Sequence, residues 1–311
     1  MAQREPPADP LFDMRNSYYL GEYQKCINEA MKTKVSAAEL KLERDIFMYR
    51  AYIALEKFKL VLDELRNTPS EELKAVCLLA EYMQICQASQ IDESKRATVV
   101  KKLDEKLASG GVASTNYAMF IVAACIYGLE ENYEAALRIL HQSDHLECLA
   151  HTVFIYCKME RPDAAKKTVK RMQEFEEDAT LTQIAEATVN LQMNGEHIQE
   201  AYHIFKDLSD KYSASTICLN GMVTALLCMG RWEEAEGYLQ EALQKDPNNP
   251  SILANLIVCG GHTAKQDDVI NRYINQLQDS HPNHQLTQLF NVKTRELERA
   301  CRQYAPEVAS P

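Results

Sequence analysis

His141, His145 and Cys148 stand at i, i+4 and i+7, a spacing at which one helical face can present ligands to zinc. Between them Gln142-Ser143-Asp144 reads as a break between helices, and no fourth ligand follows, so the three read as polar residues at a helix end beside a buried cysteine. His281 and His284 flank Pro282 and read as a turn. Carboxylates cluster at Glu174, Glu176, Glu177 and Asp178, and again at Glu233, Glu234 and Glu236. A catalytic acid needs a desolvated member with a raised pKa, whereas these runs read as solvated helix faces. No Gly-x-x-x-x-Gly-Lys-[Ser/Thr], Gly-x-Gly-x-x-Gly, Gly-x-Ser-x-Gly or His-Glu-x-x-His occurs. No catalytic residue, metal site or cofactor is expected.

The elements that would position any site follow from a repeat. Tyr23, Phe58, Tyr133 and Trp232 each precede a small or apolar residue by three positions, at Cys26, Val61, Ala136 and Ala235. With Ala165, Ala201 and Val269 these residues recur at intervals of 29 to 36, apart from one double interval of 75 that the helical run Lys95 to Leu107 fills. Two antiparallel helices that cross closely need a small residue at the crossing, so the pattern predicts stacked helical hairpins. The expected fold is all-α: a tetratricopeptide-like (TPR) solenoid of about eight hairpins over residues 9–304. A disordered lead at 1–8 and a flexible tail at 305–311 flank it. A last helix from Pro282 to about Tyr304 should cover the end of the stack.

Start and stop signals support the borders. Ser36-Ala37-Ala38-Glu39 and Thr68-Pro69-Ser70-Glu71 read as capping boxes, the second with proline at the first helical position, and Asp9-Pro10 and Asn249-Pro250 as cap-then-proline starts. Gly21, Gly195 and Gly230 should close first helices, and Ser109-Gly110-Gly111 is the most flexible internal loop. The aromatics in register read as packing between hairpins rather than a ligand stripe.

With 45 acidic against 34 basic residues the net charge is −11, which repels phosphate backbones and anionic headgroups. Nucleic acid is excluded as a partner, and membrane association is expected to be indirect. The longest apolar run, Tyr117 to Leu129, is too short to span a bilayer. No signal sequence opens the chain, Met1-Ala2-Gln3 lacks a myristoylation glycine, and Val308-Ala309-Ser310-Pro311 is no prenylation box. The ten cysteines form no Cys-x-x-Cys and mostly sit among apolar residues on predicted helices, as reduced thiols of a cytosolic protein would.

First helices of such hairpins line the concave side, where ligands bind. Two inward positions in each give Ile46/Arg50, Ile121/Cys125, Ala150/Phe154, Glu186/Asn190, Asn220/Thr224 and Ala254/Val258. Of these, Arg50, Ile121, Phe154, Glu186, Asn190, Asn220, Thr224 and Val258 are the candidate partner-binding residues. Only Arg50 is basic, so the face suits a long, mostly apolar segment better than an acidic C-terminal tail. That disfavours the alternative reading, a cytosolic adaptor or co-chaperone that clamps a terminal carboxylate.

Longer stretches carry a resemblance. They are Leu11-Phe12-Asp13, Tyr19 to Ala30, Glu43-Arg44-Asp45 with Tyr49-Arg50-Ala51-Tyr52, Arg171-Met172-Gln173, and Glu177-Asp178-Ala179-Thr180-Leu181-Thr182-Gln183. Gly230-Arg231-Trp232-Glu233 through Asp246, Asn271-Arg272-Tyr273 with Gln276-Leu277, and Gln303-Tyr304-Ala305-Pro306 complete them. In this order they resemble the epsilon subunits of coatomer, the coat of Golgi-derived vesicles. The resemblance implies a non-catalytic coat subunit whose repeats curl around the C-terminal domain of the alpha subunit in a seven-subunit complex. It further implies a cytoplasmic protein, peripheral on Golgi membranes and COPI-coated vesicles. There the complex, recruited by a GTP-bound small GTPase, would support Golgi-to-ER retrieval and intra-Golgi transport.

Overall fold

The computed structural model describes residues 9–88, 92–108, 116–263 and 265–304. The expected lead, tail and Ser109-Gly110-Gly111 loop lie outside them. Among the described residues there are 17 α-helices and no strand. Two compact units divide the chain, Met1–His197 and Ile198–Pro311, and both carry the repeat pattern.

The first unit holds α1 (Phe12–Tyr19), α2 (Tyr23–Lys32), α3 (Ala38–Ala54), α4 (Phe58–Leu65), α5 (Glu71–Cys86), α6 (Glu93–Ala108), α7 (Tyr117–Leu129), α8 (Tyr133–Leu140), α9 (Leu146–Lys158), α10 (Pro162–Glu176) and α11 (Thr180–Met193). At the border α12 (His197–Lys211) begins, followed by α13 (Thr216–Cys228), α14 (Trp232–Lys245), α15 (Pro250–His262), α16 (Asp267–Ser280) and α17 (Gln285–Gln303). Taken in chain order this is eight helix pairs and a seventeenth helix, which matches the repeat arithmetic.

The crossing residues explain why the pairs form. Cys26, Val61, Ala136, Ala165, Ala201 and Ala235 are all fully buried. Val269 departs from the register: it is half-buried, and α16 buries Tyr273 and Leu277 instead. In the second unit α12 and α13 approach so closely that a Cβ on Gly221 would sit 2.6 Å from the Phe205 ring, so only glycine fits.

The turns within hairpins share one closure. Glu22, Lys57, Asn132, Arg161 and Arg231 each donate a backbone N–H to a carbonyl five residues back, at 2.8–3.0 Å. This satisfies an orphan carbonyl of the preceding helix and requires a left-handed residue just before the donor. Gly21 and Gly230 fill that position as expected, with φ of 77° and 71°, but Glu56, Glu131 and Glu160 fill it elsewhere, with φ of 57–61°. Each such glutamate costs about 1 kcal/mol in backbone strain.

Three capping expectations change. Leu11, not Asp9, stands at the N-cap of α1, so Pro10 lies outside the helix, and Asp9 Oδ1 accepts from Leu11 N at 3.0 Å. Ser70, not Thr68, caps α5, accepting from Leu73 N, so Pro69 lies outside the helix. Ser36 caps nothing, because extended Ala37 stands directly before α3. Asn249 caps α15 ahead of Pro250 as expected. α17 is present where expected, yet it leaves its own apolar side chains exposed.

Candidate functional site

The first-helix faces of the two units are built differently. In the first unit the Arg50 side chain projects from α3 and meets Glu147 of α9, 97 residues further on. Arg50 Nη1 donates to Glu147 Oε2 at 2.9 Å and to Oε1 at 3.2 Å, and both residues are buried, 7% and 2% exposed. The guanidinium lies 4.7 Å above the Tyr18 ring and 5.2 Å from that of Phe47. Tyr18, Tyr19, Tyr23 and Phe47 pack edge to face around it. On α11, Thr180 Oγ1 donates to Asn16 Oδ1 of α1 at 2.9 Å, a buried bond across 164 residues. α1 therefore touches α11, and the first unit closes on itself.

Electrostatics follow from this enclosure. Burial alone would raise the Glu147 carboxyl and lower the Arg50 guanidinium. Each partner's charge overrides that, leaving Glu147 below the usual carboxylate range and Arg50 well above its usual value. Burial pushes the Cys125 thiol up to about 11 and the hydroxyls of Tyr18, Tyr19 and Tyr117 above their ordinary value. The His151 imidazole is pushed down to about 4, by burial first and by Arg50 second. None of these groups is poised near neutrality for proton transfer.

Arg50 and Ile121, expected to face a partner, are thus withdrawn: Arg50 is committed to Glu147, and Ile121 is 1% exposed in the core with Phe120 and Val122. Asn190 is also buried. Glu186 is half-buried, and Phe154 is 50% exposed with the Lys158 ammonium 5.5 Å above its ring. Periodicity missed Glu147, although it lies one turn before Ala150 on the same helix, and an acid within the run Leu146-Glu147-Cys148-Leu149 was a visible signal.

In the second unit Asn220, Thr224 and Asn255 are half-buried, and Val258 beside them is exposed. Asn255 Nδ2 of α15 donates to Asn220 Oδ1 of α13 at 2.7 Å. That bond uses the Asn220 side-chain oxygen and the Asn255 amide nitrogen, so the Asn220 amide nitrogen and the Asn255 side-chain oxygen stand outside it. Thr224 bonds back to the Asn220 carbonyl at 2.8 Å, and Val258 and Ile217 are 43% and 37% exposed.

The other sequence candidates separate. α8 ends at Leu140 and α9 begins at Leu146, so the turn between them breaks the face that His141, His145 and Cys148 would share. His145 caps α9 and stacks on Tyr117 with ring centroids 4.0 Å apart, while Cys148 is buried. Among the described residues no group of three or more His, Cys, Asp or Glu is arranged to hold a metal ion, and none of the ten cysteines is joined in a disulfide. No described helix is long and apolar enough to cross a membrane.

Comparison with known proteins decides the family. The family described as "Coatomer epsilon subunit" matches residues 7–305. The chain belongs to the coatomer epsilon subunit family. It is 40% identical over 297 residues to coatomer subunit epsilon-1 of Arabidopsis thaliana, covering 96% of this chain and 98% of that one. Identity to coatomer subunit epsilon of Dictyostelium discoideum is 35%, covering 91% and 94%, and to that of Caenorhabditis elegans 34%, covering 94% and 98%. The fold is shared with a tetratricopeptide repeat protein from Parabacteroides merdae, at TM-score 0.57 and 12% identity over 86% of this chain and 96% of the other. It is shared also with a chain of the Cut9–Hcn1 assembly, at TM-score 0.59 and 12% identity over 90% and 54%. As an epsilon subunit, the protein is a component of the COPI coat.

Proposed function

We propose that this epsilon subunit is a non-catalytic scaffold that holds the C-terminal domain of the coatomer alpha subunit on the first-helix face of its second unit. Asn220, Thr224 and Val258 carry the contact, with Phe154 as a separate patch on the first unit. The observation that supports this is the contrast between the faces: Arg50 is sealed onto Glu147, whereas the Asn220–Asn255 bond leaves an amide donor and an acceptor outside it beside exposed Val258. A pair of carboxamides can bond a peptide backbone while exposed apolar residues cover its side chains. In this role the protein is cytoplasmic, within a seven-subunit coat. It reaches Golgi membranes only through that coat and a small GTPase, in support of Golgi-to-ER and intra-Golgi transport.

The test is titration of the purified alpha C-terminal domain against the full chain and two variants, Asn220→Arg and Val258→Asp. Affinity should fall at least about tenfold in each, a change of about 1.4 kcal/mol, with helicity unchanged. Undiminished binding by both would move the interface elsewhere, and failure of the unaltered chain to bind would remove the alpha subunit as partner.

A further inference from the structure

α17 is the most exposed helix of the second unit. Only Thr287 is buried on it, and it packs extensively against no other helix among the described residues. Leu289, Phe290, Val292 and Leu297 are 51%, 44%, 47% and 65% exposed, and Tyr304, just past its end, 78%. An isolated amphipathic helix of this length is marginal in water, so its apolar side calls for cover.

The spacing says what kind of cover. Leu286, Phe290, Lys293, Leu297, Ala300 and Tyr304 follow one another at alternating steps of four and three. That is the narrow seam along which two helices interlock side chains. A lipid surface suits it less: Lys293 stands within the seam, and Glu296 and Glu298 stand among Arg295, Arg299 and Arg302 on the rest of the helix, so the polar side is not uniformly basic. The one cation within the seam, Lys293, is already paired with Glu296 at 2.8 Å.

We propose that this seam pairs with the same seam of a second copy of the chain, antiparallel, about a two-fold axis level with Arg295. The seam is complementary to itself in that register. Phe290 meets Ala300 of the second copy, large against small, and Leu286 meets Tyr304. Lys293 lies against Leu297 of the second copy and one residue from its Glu296, so the two Lys293–Glu296 bonds can exchange between chains with no unpaired charge. Axial symmetry makes the contact close as a dimer rather than run on as a filament. α17 is 19 residues long. At about 1.5 Å per residue a single helix pair of that length buries less than the roughly 1,200 Å² of a stable interface. The dimer is therefore a weak one, formed where copies are crowded together.

Sedimentation equilibrium of the full chain tests it, over about two orders of magnitude in concentration reaching the range of weak interfaces. The unaltered chain should show a reversible monomer–dimer equilibrium. Phe290→Asp and Leu297→Asp should each weaken it at least about tenfold, a change of about 1.4 kcal/mol in association. Both positions lie off the core, so an unchanged thermal midpoint checks the fold. Lys293→Glu alone should weaken association, and Lys293→Glu with Glu296→Lys should restore it. A chain that stays monomeric throughout overturns the proposal, as does a dimer indifferent to these four substitutions. If the unaltered chain is monomeric but Leu297→Asp abolishes binding to the alpha C-terminal domain or to phosphatidylserine vesicles, the seam belongs to that occupant instead.

Discussion

The two units use the same helical hairpin for opposite ends. In the first, side chains on the first-helix face turn inward on one another: Arg50 reaches Glu147, tyrosines enclose the pair, and Asn16 and Thr180 join the first helix to the last. In the second, the matching residues are Asn220, Thr224 and Asn255, half-buried, and Val258, which is exposed. The repeat supplies a shape, and the residue types at a few inward positions decide whether side chains of the unit itself meet across it. A charge pair held between distant hairpins commits a face to its own chain.

The sharpest way to break this contrast is Glu147→Ala. It leaves Arg50 buried and unpaired and should cost the first unit about 3–5 kcal/mol. Replacing both partners, Arg50→Leu with Glu147→Leu, should recover much of that loss. Trp232, the single tryptophan, lies in the second unit. Its fluorescence should therefore report little change while hydrogen exchange in α3 and α9 rises; protection unchanged in those helices would mean the pair does not hold the first unit closed.

Next in size, Gly221→Ala drives a methyl into the Phe205 ring and should destabilise the second unit by about 1–3 kcal/mol, read as a lower urea midpoint of Trp232 fluorescence. No shift would mean the ring can move aside. Comparable in size is an acid sensitivity of the first unit carried by His151. Folded His151 titrates at about 4, below the ordinary histidine value. Between that ordinary value, roughly 6.5, and 4 the unfolded chain takes up a proton that the folded chain refuses, so stability falls as pH is lowered through this window and returns as it is raised. His151→Gln should flatten the slope, and a slope that survives the substitution would assign it to another group. Smallest of all, Asn255→Ala should change unfolding by no more than about 1 kcal/mol. If it also leaves affinity for the alpha domain untouched, the amide pair is a structural bond only.

The hairpin register was legible because close helix crossings admit few residue types, and six of its seven crossing positions are fully buried. Val269 escaped because α16 turns Tyr273 and Leu277 inward in its place. Turns closed by Glu56, Glu131 and Glu160 were invisible to a search for glycine, since the five-back hydrogen bond, not the residue type, imposes the left-handed backbone. Inward-facing positions could likewise be counted from helical spacing, but which ones meet across the unit could not. Nothing local links Arg50 to Glu147, and so Arg50 read as a binding residue when it is an internal one. Phe154 and Val258, read as inward partner-binding positions, are exposed.

The bond between Asn16 and Thr180 bears on how the chain folds as it is made. A stack of repeats with only neighbour contacts can add hairpins one at a time, each stable as it emerges. Here α1 and α3 leave the ribosome with Arg50 unmatched, and its carboxylate follows 97 residues later, with the closing helix later still. The first unit cannot ratchet forward in that way. It must wait for α9 and α11, pay the entropy of a long loop closure, and then settle as one cooperative block.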